Sequence, residues 1–229
     1  MNRLSARLGF WSAFLVTLTF LVFTVSFVAI PLTSPVFIWK DLAGYVAYVS
    51  NNSQFFQNLA RLAMLLFGSL FVILLNCIHD YASPDRRLLV RISMCFGVAF
   101  AALTGINYFI QLSAVRQSIA LGELQGLEQL VQANPYSAVA AINLLGWSLF
   151  LGLASLFVAP VFSGSKLERL ISILFWLNGI FCILGGVGYI LNSTVLIFWT
   201  LNFGMGGAIL LAAIVLCLFF KRIERQARF

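Results

Sequence analysis

Seven side chains pair polar or aromatic chemistry with an apolar neighbourhood: Arg61, Asn107, Tyr108, Gln111, Asn143, Trp147 and Asn202. Asn107 and Gln111 stand four apart in the stretch GINYFIQ. With Thr104 they share one face of a helix, because positions i, i+3 and i+4 coincide there. An amide both donates and accepts, so it suits a neutral polar ligand or a hydrogen bond to a neighbouring helix. It brings no charge to a reaction. Tyr108 and Trp147 would supply aromatic walls to such a ligand site. Counted from the outer ends of the expected helices, Asn107, Asn143 and Asn202 each lie about six residues in, roughly 9 Å at 1.5 Å per residue. They are expected to form one layer, with Asn178 deeper. Two readings stand side by side: amides that pair helices, and amides that line an outward-facing cavity.

Arg61 is the one cation expected inside the outer half of a span. A long guanidinium stem reaches the interface from such a depth. Turned inward, it would need Asp41, Glu123, Glu128 or an anionic ligand such as a lipid headgroup.

Acid–base and metal chemistry find few groups here. The chain has one histidine, His79, beside Asp80 at the end of an apolar run. A membrane metalloprotease needs two histidines and a carboxylate, and a b-type haem needs paired histidines. No Asp or Glu falls deep in an apolar run, and no G-x-x-x-x-G-K-[ST] occurs. The expectation is a protein that is not an enzyme and has no cofactor or metal. The four cysteines, Cys77, Cys95, Cys182 and Cys217, form no C-x-x-C pair and read as small buried apolar residues.

The elements that must position these residues follow from composition. With 62% hydrophobic and 9% charged residues, the chain lacks the polar surface that a water-soluble domain needs, so it belongs in a bilayer. Apolar runs lie at about 9–30, 57–78, 88–113, 137–159, 169–190 and 196–219. Each approaches the roughly 20 residues that cross a hydrocarbon core. Their continuity favours helices over barrel strands, which alternate. The expected fold is all-α: six transmembrane helices in one bundle, a single membrane domain over residues 1–229. Of the 14 Lys and Arg residues, all but Lys40, Arg61 and Arg116 fall on one side of that topology. By the positive-inside rule both termini are then cytoplasmic. The net charge of +7 thus encodes topology and attraction to anionic lipid, not nucleic-acid binding.

Two long outer segments are expected, about 31–56 and 114–134. Trp39, Tyr45 and Tyr48 suit a helix lying at headgroup level. Leu121, Leu124, Leu127 and Val131 recur at helical spacing, interrupted by Glu128. Ser83-Pro84 and Asn134-Pro135 read as helix starts with a capping side chain before proline. Ser165-Lys166-Leu167-Glu168 has capping-box spacing, and Asn192-Ser193-Thr194 reads as a tight turn. Small residues four apart (Gly97, Ala101, Gly105; Ser148, Gly152; Gly204, Ala208, Ala212) predict close helix contacts. The 23 phenylalanines are expected mainly to face lipid.

The composition resembles that of small six-helix membrane proteins of bacteria, and the expected location is a plasma (inner) membrane. The leading functional expectation is a non-catalytic multi-pass protein with a neutral polar site in its outer half, binding, sensing or transporting a small or lipid-like ligand. The alternative is an assembly subunit that docks on another membrane protein, or on itself, through its small-residue faces.

Overall fold

Uninterrupted apolar sequence leaves the backbone no partner in lipid but itself, and the helix is the local solution. A computed structural model describes residues 1–226, and its described secondary structure is helical throughout. Six helices are long and apolar enough to cross a membrane: α1 (Arg3–Thr33), α3 (Phe55–Tyr81), α4 (Pro84–Leu121), α5 (Ala138–Val161), α6 (Lys166–Ile190) and α7 (Thr194–Gln226). A short α2 (Leu42–Asn51) lies between α1 and α3. Six such helices mark an integral membrane protein. Three of them contain π-helical stretches: Gln111–Val115 in α4, Gly146–Phe150 in α5 and Phe198–Met205 in α7.

Each spanning helix packs on its neighbour in the chain, and α7 returns to α1. Small residues set the closest approaches. A Cβ on Gly68 would stand 3.1 Å from Ala101 Cα, and one on Gly152 3.0 Å from Cys182 Cβ. Larger side chains fill what glycine leaves: Phe220 lies over Gly9, Leu75 over Gly97, Phe181 over Gly204. The expectation that phenylalanine mainly faces lipid is therefore corrected. Phe67, Phe71, Phe100, Phe162, Phe175 and Phe220 are all fully buried, because rings fill the hollows beside small residues. Cys95 is exposed and Cys217 half-buried, while Cys77 and Cys182 are buried, and all four are free thiols.

The segments that join α1 to α3 and α4 to α5 meet at one end of the molecule. Tyr45, Val115, Leu127 and Val131 form a small core there, with Phe37, Trp39 and Leu124 against it. Tyr45 is thus buried, not spread at an interface. Residues 114–134 do not make one helix: α4 continues to Leu121, then Gly122 and Gly126 adopt φ of +74° and +73°, a backbone that ends a helix. Leu121 is consequently exposed while Leu127 and Val131 are buried. Ser137, not Asn134, caps α5, accepting from Ala140 N at 3.1 Å. Asn134 Oδ1 instead accepts from Tyr136 N two residues on, and the proline stays in the turn. Ser83 makes no capping bond, and Pro84 opens a short 3-10 turn ahead of the α-helix. Ser165 and Glu168 form the reciprocal capping box at α6.

Candidate functional site

The end of the molecule that carries these segments also holds a cavity of about 540 Å3. Its walls come from α1 (Phe20, Phe23, Phe27), α3 (Gln57, Arg61), α4 (Tyr108), α5 (Asn143, Trp147) and α7 (Leu201, Asn202, Phe203), and Gln132 reaches it from the α4–α5 connection. Most of the lining is aromatic or aliphatic, and the polar groups gather at Gln57, Arg61, Tyr108, Gln132 and Asn143. A volume between about 300 and 1,000 Å3, largely apolar with a few converging polar groups, is the usual form of a small-molecule site.

The polar groups are held from behind. Trp147 Nε1 donates to Tyr108 Oη at 3.1 Å. The indole itself is fixed against Phe67 and edge-on to Phe100, with centroids 5.8 and 4.9 Å away. Asn143 lies beside the Tyr108 hydroxyl, and the Arg61 guanidinium is within electrostatic reach of it. Arg61 Nη1 donates to Asn58 Oδ1 at 3.2 Å, and among the described residues no carboxylate pairs with it. Gln57 Oε1 and Asn143 Oδ1 are buried without a hydrogen-bond partner among the described residues. The lining residues therefore include one cation, a phenol and several amides, and no acid.

No family model, curated protein or solved structure matches this chain. What the site can do is read from its own groups. A proton-transfer or nucleophilic constellation is missing from the walls, which carry no His, Cys, Asp or Glu. His79 sits about 27 Å along α3 from Arg61 at 1.5 Å per residue, with Nδ1 3.8 Å from Asp80 Oδ1. Ser5 Oγ donates to the same Asp80. Among the described residues no three His, Cys, Asp or Glu side chains come together to hold a metal.

Five of the seven residues singled out from sequence line the cavity: Arg61, Tyr108, Asn143, Trp147 and Asn202. Gln111 and Asn107 do not. Gln111 belongs to the cap, donating from Nε2 to Leu130 O at 2.7 Å and accepting at Oε1 from Gln132 N at 3.1 Å. Asn107 is fully buried, and both polar atoms of its amide are without a partner among the described residues. Helix pairing by amides occurs instead at Asn178, whose Nδ2 donates to Ser155 Oγ of α5 at 2.7 Å. The expected layer of three amides thus divides into a cavity wall (Asn143), a rim (exposed Asn202) and an unpaired core amide (Asn107).

A buried amide that makes no bond costs its desolvation without return, about 1–3 kcal/mol. Asn107→Leu, which keeps the branching and heavy-atom count of the side chain, is therefore expected to raise stability by roughly 1 kcal/mol, read as a higher midpoint of unfolding in lipid or detergent. A lower midpoint would mean that Asn107 has a partner in the working protein.

Aromatic residues of α1, together with Gln57 and Gln132, are lining residues that sequence reasoning missed. Phe20, Phe23 and Phe27 lie within an apolar run, where nothing distinguishes a cavity wall from a lipid face.

Proposed function

We propose that this is a non-catalytic multi-pass membrane protein that binds a small or lipid-like amphipathic ligand in the cavity between α1, α3, α5 and α7, in a sensing or transport role. The positive-inside distribution of basic residues supports cytoplasmic termini, and on that reading the cavity lies in the outer half of a six-helix bundle in a plasma membrane. The observation that carries the reading is Arg61: a half-buried guanidinium on the wall of a mostly apolar cavity, with no carboxylate among the described residues to neutralise it. A charge in that setting is costly unless paired, and an incoming polar or anionic group would pair it.

The assembly-subunit reading is less favoured because the small-residue faces are already covered from within. Gly97 meets Leu75, Gly152 meets α6, Gly204 meets Phe181, and Ala208 and Ala212 are buried.

Extraction in a mild detergent, followed by mass spectrometry of what stays bound, tests the proposal. The expected result is an amphiphile carried in stoichiometric amount, lost from Arg61→Ala and partly retained by Arg61→Lys, which keeps the charge but not the planar fork. Equal content and equal thermal stability across all three proteins would overturn it.

A further inference from the structure

Granted a lipid-like ligand in the cavity, we infer that the ligand is an anionic membrane lipid that enters sideways from the outer leaflet, through a cleft between α1 and α7. Three features of the fold lead there. α1 packs along the Gly206–Gln226 part of α7, whereas the π-helical stretch Phe198–Met205 packs on α6. The two helices therefore meet in the inner half and part in the outer half. The exposed lining residues lie on the two sides of that gap: Thr24, Phe27 and Val28 on α1, and Phe198, Asn202 and Phe203 on α7. Phe27 and Phe203 are 53% and 59% exposed. In a bilayer these positions face hydrocarbon.

Toward the α4–α5 connection the cavity is bounded by Gln132. Gln132 contributes to the lining and is half-buried, and its backbone is tied to Gln111 of α4. That connection continues into the small apolar core around Tyr45, Leu127 and Val131.

Depth and charge complete the match. From Ile30 at the rim to Phe20 at the floor is ten residues of α1, about 15 Å at 1.5 Å per residue. That is half of a hydrocarbon core roughly 30 Å thick, the depth of one leaflet. Gln57 and Gln132 stand at the top of this column. Arg61 lies level with about Thr24 of α1, by the register that sets Ser5 beside Asp80 and Phe20 beside Phe67, so a headgroup fits the upper half and Phe23 and Phe20 line the part below. Arg61 with Tyr108 can donate to a phosphate or carboxylate oxygen, and no acidic residue lines the wall to repel one.

A protein that keeps Trp147 as its only tryptophan reports on this column, since Trp147 lines it. The replaced residues, Trp11, Trp39, Trp176 and Trp199, are exposed or half-buried and become Phe. In phosphatidylcholine nanodiscs, brominated-chain phosphatidylglycerol is expected to quench Trp147 at a roughly tenfold lower mole fraction than brominated-chain phosphatidylcholine. Arg61→Gln is expected to abolish that difference. Thr24→Phe, which narrows the cleft, is expected to weaken quenching by both lipids while the helical content measured by circular dichroism is retained. Inorganic phosphate alone is expected to give no protection against unfolding.

Equal quenching by the two lipids would overturn the anionic preference and leave the lipid-like ligand standing. Unaltered quenching in Thr24→Phe would overturn the lateral route. Absence of quenching by either lipid would overturn both the inference and the cavity reading beneath it. Protection by phosphate as large as that by phosphatidylglycerol would assign the site to a free anion.

Discussion

Gly179→Ile is expected to destabilise the protein by about 3 kcal/mol, near the upper end for overpacking a close contact. A Cβ at Gly179 would stand 2.9 Å from the carbonyl oxygen of Gly152 and 2.5 Å from Leu156 Cγ. Leu156 can turn aside, but the Gly152 carbonyl is backbone and moves only if α5 and α6 separate. Separation would also strain the Asn178–Ser155 hydrogen bond, which joins the same two helices one residue away. Lipid supplies no hydrophobic drive to restore the contact, so close packing and that bond carry the association. Gly207→Ala is the matched control. Its Cβ would meet nothing within 4 Å, and removing a glycine from a helix interior is worth roughly 0.5–1 kcal/mol. Unfolding midpoints in mixed micelles should move in opposite directions for the two variants. A shift of the same sign and size in both would mean that backbone entropy, not the α5–α6 contact, governs these positions.

Gln111→Ala is expected to cost about 2–4 kcal/mol, because it leaves two backbone groups, Leu130 C=O and Gln132 N–H, without the partner that now satisfies them. Gln111 is 1% exposed, so water does not replace the lost bonds without the cap opening. The local signature is faster hydrogen exchange at the Gln132 amide, with exchange in the middle of α5 and α6 unaltered. Since Gln132 lines the cavity, the same variant should loosen ligand retention although Gln111 touches no ligand. Unchanged exchange at Gln132 would show that the connection is held by its apolar core alone.

These two cases also show what the sequence made legible. Continuous apolar runs and charge-poor interiors specify six spanning helices without ambiguity, because length and hydropathy are properties of single segments. Ser165 with Glu168 was readable for the same reason: both partners lie within one turn. Asn134 misled, because Asn-Pro is a good helix start by composition, yet the chain uses three more residues to turn before Ser137 caps α5. The amides were visible as a set but not separable, since Asn107, Asn143 and Gln111 differ only in what faces them from other helices. Gln111 finds a loop 19 residues on, Asn143 faces the cavity, and Asn107 faces packed core.

The cavity was the least legible feature. It depends on α7 leaving the α-helical path between Phe198 and Met205 and packing on α6 there, and π-helical stretches have no strong local signature. Such stretches often accompany functional sites. Here two of the three carry lining residues, Trp147 in one and Phe198, Leu201, Asn202, Phe203 and Met205 in the other, and the third begins at Gln111.

The most direct test of an occupied outer cavity built on Arg61 is a density map of the protein in nanodiscs formed from its native membrane lipids, at a resolution that shows side chains. The expected map has an elongated density about 15 Å long, with its head in the upper half of the cavity against Arg61 and Tyr108 and its tail along Phe23 and Phe20. A cavity collapsed onto its own side chains, with Arg61 turned to the interface or paired with Asp41, Glu123 or Glu128, would contradict the account.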